Sequence, residues 1–169
     1  MVKKEFYEEL YKLLENVTPL PVDCGGLCEG ACCRGDEESG MYLFPGEEAM
    51  YDGSEKWLKI CESDFFFEGE PVKIAICDGT CDRKKRPLSC RIFPLFTDKN
   101  GNLVHDIRGK WLCPLVTANI EFKTYDQRFI KNVAKVFEKL NENEITRKYV
   151  EETQKIIEEF EEMNDVFKL

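Results

Sequence analysis

Residues 24–33 read CGGLCEGACC, four cysteines and three glycines in ten positions. No other stretch limits the possible folds as strongly. Glycine at 25, 26 and 30 frees the backbone for positive φ and close approach, so regular structure is not expected across the loop 22–40. A lone cysteine packs as a small hydrophobe, but four of them in a polar loop make a poor core pattern. Adjacent Cys32 and Cys33 direct their Cβ atoms differently in almost any backbone conformation, so they rarely serve one small centre equally. The pair is explained by two centres, or by one ligand and one supporting thiol.

Five more cysteines follow, Cys61, Cys77, Cys81, Cys90 and Cys113, beside a single histidine, His105. An odd total of nine fits a disulfide framework poorly. At 169 residues the chain can bury a core without cross-links, which scaffolds below about 70 residues cannot count on. The opening MVKKEFYEELYKLLENV has its apolar residues interrupted by Glu5, Glu8, Glu9 and Lys12, so no signal peptide is read there. Apolar runs of a few residues fall far short of the roughly 20 that cross a bilayer. The expectation is a cytoplasmic protein, off the membrane, with reduced thiols. In that compartment, clustered cysteines bind metal or catalyse. A net charge of −9 argues against a nucleic-acid partner, which calls for a basic face.

Hydrophobic periodicity predicts an α+β chain read as one domain over 1–169. An N-terminal helix within 1–18 carries Phe6, Leu10, Leu13, Leu14 and Val17 at helical spacing, and Pro19 and Pro21 stop it. Met41–Phe44 reads as a short strand and Pro45–Glu48 as the start of a short helix. LKIC and PVKIAIC read as two strands joined through FEGEP. A hairpin is expected over 92–107, with Asn100-Gly101 in its turn. Within 122–165 two stripes appear: Phe129, Val133, Val136, Phe137, Leu140, and then Ile145, Tyr149, Thr153, Ile156, Phe160, Met163. With NEN between them and Asn143 as N-cap, they predict an antiparallel helix pair. The whole is a small, irregular, cysteine-rich metal-binding core over 22–115 with short strands and a hairpin, flanked by these helices.

Metal–thiolate centres carry excess negative charge, and Arg83, Lys84, Lys85, Arg86 and Arg91 would offset it. Pro87 suits the start of a helical turn holding Cys90 and Arg91, and Pro94 its end. The run Cys24-x3-Cys28-x3-Cys32-Cys33, then Cys77, Cys81 and Arg86-Pro87-x-x-Cys90-Arg91-x-Phe93-Pro94-Leu95, resembles the YkgJ-like cysteine-cluster family, described as a zinc- or iron-chelating domain. The likeness spans residues 22–115. It implies metal ligation by Cys24, Cys28, Cys32, Cys33, Cys77, Cys81, Cys90 and Cys113. After Cys81 the family commonly carries an aromatic residue, where this chain has Asp82-Arg83-Lys84-Lys85.

Cys61 and His105 read as packing residues, outside the ligand set. Both close cysteine pairs are Cys-x3-Cys, whereas structural zinc favours Cys-x2-Cys. Iron–sulfur clusters, including the [4Fe–4S] type, accept more varied spacing, so they stand slightly ahead of zinc. The expected role is structural, electron-carrying or metal-handling, with an unidentified protein partner and no catalytic residues. The resemblance also admits a module of a flagellin-type lysine N-methylation system, and a zinc-stapled interaction domain stands as another alternative. The sequence does not divide the cysteines between sites.

Overall fold

Tyr7, Leu10 and Tyr11 fall on one face of α1 (Lys4–Leu13) and are buried there with Leu14, while its glutamates and lysines face out. A computed structural model describes the protein over residues 2–22, 24–33 and 40–166. The helix is shorter than the pattern predicts, and its buried face is turned toward the two tyrosines, leaving Phe6, Leu13 and Val17 half-buried. Inside the cysteine loop two pieces are regular after all: a single turn α2 (Gly25–Cys28) and a 3₁₀ turn Ala31–Cys33. Residues 23 and 34–39 of the expected loop lie outside the described residues.

Three antiparallel strands form a sheet in the order β1-β3-β2, with β1 Met41–Tyr42, β2 Leu58–Phe67 and β3 Glu70–Cys77. Met41 pairs with Ala75 and Leu58 with Cys77, so Cys77 ends β3 opposite the start of β2. Strand β2 outruns the LKIC segment through an irregularity between Glu62 and Phe66, where the Ser63 hydroxyl donates to the Val72 carbonyl at 2.8 Å. After a 3₁₀ turn Arg83–Lys85 comes the short α3 (Leu88–Ile92), with Pro87 at its N-cap.

The expected hairpin is present as β4 (Leu95–Thr97) and β5 (Leu103–His105), with Leu95 opposite His105. Its first strand starts later than predicted, because Ile92 belongs to α3. Asp98 builds the turn, accepting from the Asn100 and Asn102 amides at 2.9 and 2.8 Å.

Helix α4 (Pro114–Thr117) leads to the long pair α5 (Gln127–Glu142) and α6 (Glu144–Val166). Asn143 alone separates α5 from α6, and its Oδ1 accepts from the Ile145 and Thr146 amides at 3.0 and 3.3 Å. The α5 stripe buries as read. That of α6 holds in part: Tyr149 and Thr153 bury as read and Thr146, Val150 and Ile157 join them, while Ile145, Ile156 and Phe160 are half-buried and Met163 is exposed. Residues from α1, α3, β4, α5 and α6 share one hydrophobic core, in which the Phe96 and Phe137 rings meet edge-on at 5.0 Å. Among the described residues no helix is long and apolar enough to cross a membrane.

A polar network pins α1 to α3 through this core. Glu47, fully buried, accepts from the Tyr11 hydroxyl and the Leu88 amide at 2.6 Å each, and from the Phe44 amide at 2.9 Å. Burial pushes its carboxyl above the ordinary range, against the pull of those three donors and of Arg91. Glu47→Ala would strip the acceptor from three buried donors. It should cost about 3–5 kcal/mol in urea unfolding, the scale for breaking a buried charged network. Glu47→Gln, which keeps one acceptor oxygen, should cost less.

Candidate metal centre

The cysteines meet where the loop 24–33, the end of β3, α3 and the start of α4 come together. One cavity is lined by Cys24, Cys28, Cys32, Cys33, Cys90 and Cys113. An adjoining cavity is lined by Cys32, Cys33, Cys77, Cys81 and Cys90. Arg86, Phe93 and Leu112 belong to both walls. All eight residues of the implied ligand set thus line one cavity or the other, and Cys61 lines neither. Cys61 sits on β2 opposite Ile74.

Local chemistry explains each placement. Cys24 and Cys28 bracket the α2 turn, and the Cys28 sulfur lies 3.9 Å from the Cys24 carbonyl oxygen. The Cys32 and Cys33 sulfurs are 4.0 Å apart. Beyond Cys77 the chain turns on Asp78, whose Oδ1 accepts from the Thr80 amide and hydroxyl at 2.9 and 2.6 Å. That turn aims the Gly79 amide at the Cys77 sulfur, at 3.3 Å, and holds Gly79 at φ +90°. Cys113 caps α4 and donates its amide to the Gly109 carbonyl at 2.8 Å. A Cβ on Gly109 would stand 2.6 Å from the Phe93 ring, so glycine there lets the turn into Cys113 lie flat on the shared wall.

The basic residues divide sharply in what they do. Arg86 reaches the thiols: its Nε and Nη2 donate to the Cys81 sulfur at 3.4 and 3.3 Å. Burial works against its charge, but the bond to Cys81 and the fields of Cys81, Cys33 and Cys90 outweigh that and raise its pKa. Arg91, expected to offset the site's charge, instead spends its guanidinium on main-chain carbonyls. It donates to Arg86, Lys84 and Arg83 at 2.6, 2.8 and 3.0 Å and stacks over the Tyr11 ring at 4.1 Å. Arg91 shapes the RKKR backbone, and Arg86 meets the sulfur. Lys85 is likewise engaged elsewhere, on Glu55 at 2.5 Å.

His105 is held on both ring nitrogens, by Asn119 at 3.2 Å and by the Tyr125 hydroxyl at 2.9 Å, and burial lowers its pKa. Sequence reasoning missed the Gly79 amide, whose signal was the Asp78-Gly79-Thr80 turn signature. It also gave no place at the site to Phe93, which it met only inside the family motif, or to Leu112, which carries no signal of its own. Among the described residues no group of three or more His, Cys, Asp and Glu side chains is set to hold a metal ion. No protein-family model, curated protein or solved structure matches the chain at a significant level.

Thiol acidity is suppressed at Cys32, Cys77, Cys90 and Cys113. A hydrogen bond with Cys33 raises the Cys32 pKa first, and burial adds to it; burial is the main cause at Cys77, Cys90 and Cys113. A raised pKa means less thiolate at neutral pH. In reduced, metal-free protein these four should react with iodoacetamide more slowly than a free thiol at pH 7–8, and speed up only above the ordinary cysteine range. Peptide mapping by mass spectrometry reads this directly, and neutral-pH modification of Cys90 at the rate of free cysteine would contradict it.

Proposed function

We propose that the protein binds metal through the thiolates lining the two adjoining cavities, as an iron–sulfur cluster or as zinc. One observation carries this reading: cysteines from four separate stretches of chain gather on two shared walls, while Cys61 stays away. Thiols retained merely as small hydrophobes would scatter through the apolar core, yet of the nine only Cys113 is buried there. The donor chemistry fits the group. The walls offer sulfur with a single carboxylate, Glu15; Arg86 supplies positive charge, and Gly79 supplies an amide to sulfur. Among the described residues no three of these thiols are set to hold one ion, so loading requires them to rearrange.

The cavities measure about 120 and 150 Å³. The Cys-x3-Cys spacings favour a cluster slightly over zinc. When bound, an iron–sulfur cluster supplies one-electron transfer, and zinc supplies a cross-link. The chain's own contribution is to hold the thiols together, balance their charge with Arg86 and wall the site with Phe93 and Leu112. An electron-carrying or metal-handling role additionally needs a protein partner.

Protein purified without oxygen should contain iron with acid-labile sulfide, or zinc, in stoichiometric amount. Metal-free protein from cells grown with both metals would refute the reading. Cys90→Ala should lose metal, whereas Cys61→Ala should keep it. Arg86→Ala should weaken binding by about 10–100-fold, the usual cost of removing a group that supports a ligand. Arg91→Ala should act mainly on stability, by freeing three carbonyls of the RKKR loop. Because α1, α5 and α6 pack in an apolar core to which the loop 24–33 contributes nothing, a chelator should leave most far-UV circular dichroism intact. Amide exchange should rise chiefly at 24–33 and 77–86.

A further inference from the structure

We infer that the eight cavity cysteines form two separate four-sulfur metal sites, Cys24, Cys28, Cys32 and Cys113 in one and Cys33, Cys77, Cys81 and Cys90 in the other. This rests on the metal-binding reading and adds the number of sites and the membership of each. Cys24, Cys28 and Cys113 line the first cavity alone, and Cys77 and Cys81 the second alone. Cys32, Cys33 and Cys90 line both, so the walls leave these three to be placed by other means.

The backbone places Cys33. Gly79, in the Cys77–Cys81 turn, backs onto the Cys33 carbonyl oxygen, which a Cβ there would approach to 3.4 Å. Cys24 and Cys28, four residues apart around α2, present their sulfurs on one face. Cys32 and Cys33 follow each other in a 3₁₀ turn with their sulfurs 4.0 Å apart, so the boundary between the two sets runs between these adjacent thiols.

Apart from the Cys32–Cys33 contact, which crosses the boundary, electrostatic neighbours fall along the same line. Cys32 interacts with Cys28 and Cys24 beyond its own neighbour Cys33, and Cys113 interacts with Cys28. Tyr125 lies within range of Cys113 and Cys24. On the far side, Cys77 interacts with Cys81 and Cys33, and Cys90 with Cys33 and Cys81. Arg86, bonded to Cys81, interacts with Cys33 and Cys90, so it belongs to the second set. Four thiolates a side is the complement of a closed zinc site or a cysteine-ligated cluster.

Cobalt(II) titration of the reduced full chain, followed by thiolate charge-transfer absorption and native mass spectrometry, tests the division. The chain should take up two equivalents. Cys28→Ser and Cys77→Ser should each lose one. Cys28→Ser/Cys113→Ser should lose no more than Cys28→Ser, whereas Cys28→Ser/Cys77→Ser should lose both. Cys33→Ser should behave as Cys77→Ser does, with Arg86→Ala weakening that equivalent alone. Circular dichroism of each variant establishes that the helices are intact. Uptake of one equivalent abolished by either single change would overturn the division and leave metal binding standing, as would loss of both equivalents from one single change. Absence of any cobalt–thiolate absorption would overturn both.

Discussion

The placement of Glu47 sets the geometry on which the cysteine cavities depend. A carboxylate with no access to solvent is tolerable only when donors surround it, and here they come from three elements: Tyr11 on α1, the Phe44 amide after β1, and the Leu88 amide at the first turn of α3. Helix α3 has only five residues, too few to hold itself in place. Its position is fixed from one end by Glu47 and from its own Arg91 by the carbonyls of Arg83, Lys84 and Arg86. Cys90 rides between those two anchors, and so stands in the walls of both cavities.

The molecule separates two kinds of cohesion. Apolar side chains of α1, β4, α5 and α6 close over Leu88 and Ile92 on one side of α3. Sulfur, Arg86 and short irregular segments occupy the other. The cysteine loop is built from single turns that could not persist alone. They are ordered against a framework whose stability has a different source. That arrangement would let the cysteine loop shift without unfolding the chain around it.

Much of the fold was legible because one period dominates each long helix. The α5 stripe from Phe129 to Leu140 buries residue for residue. In α1 the reading failed by a small rotation, since Tyr7 and Tyr11 bury their rings while their hydroxyls satisfy the Pro45 carbonyl and Glu47. In α6 Tyr149 and Thr153 bury as read, whereas Thr146 enters the core by returning its hydroxyl to the Leu140 carbonyl, a polar residue where an apolar one was sought. At the candidate site the cysteines announced themselves by density. The division of labour between Arg86 and Arg91 could not be read, because Arg91 is claimed by main-chain acceptors that every sequence possesses.

Helix α3 also governs how the chain tolerates substitution. A change in the loop 24–33 alters cavity wall and little else, so its effects are confined to the sulfur-lined surface. A change at Leu88, Arg91 or Ile92 is registered twice, once in the apolar core and once in the position of Cys90. Five residues are thereby held to two independent standards of fit, and variation that satisfies one without the other has no route through this segment.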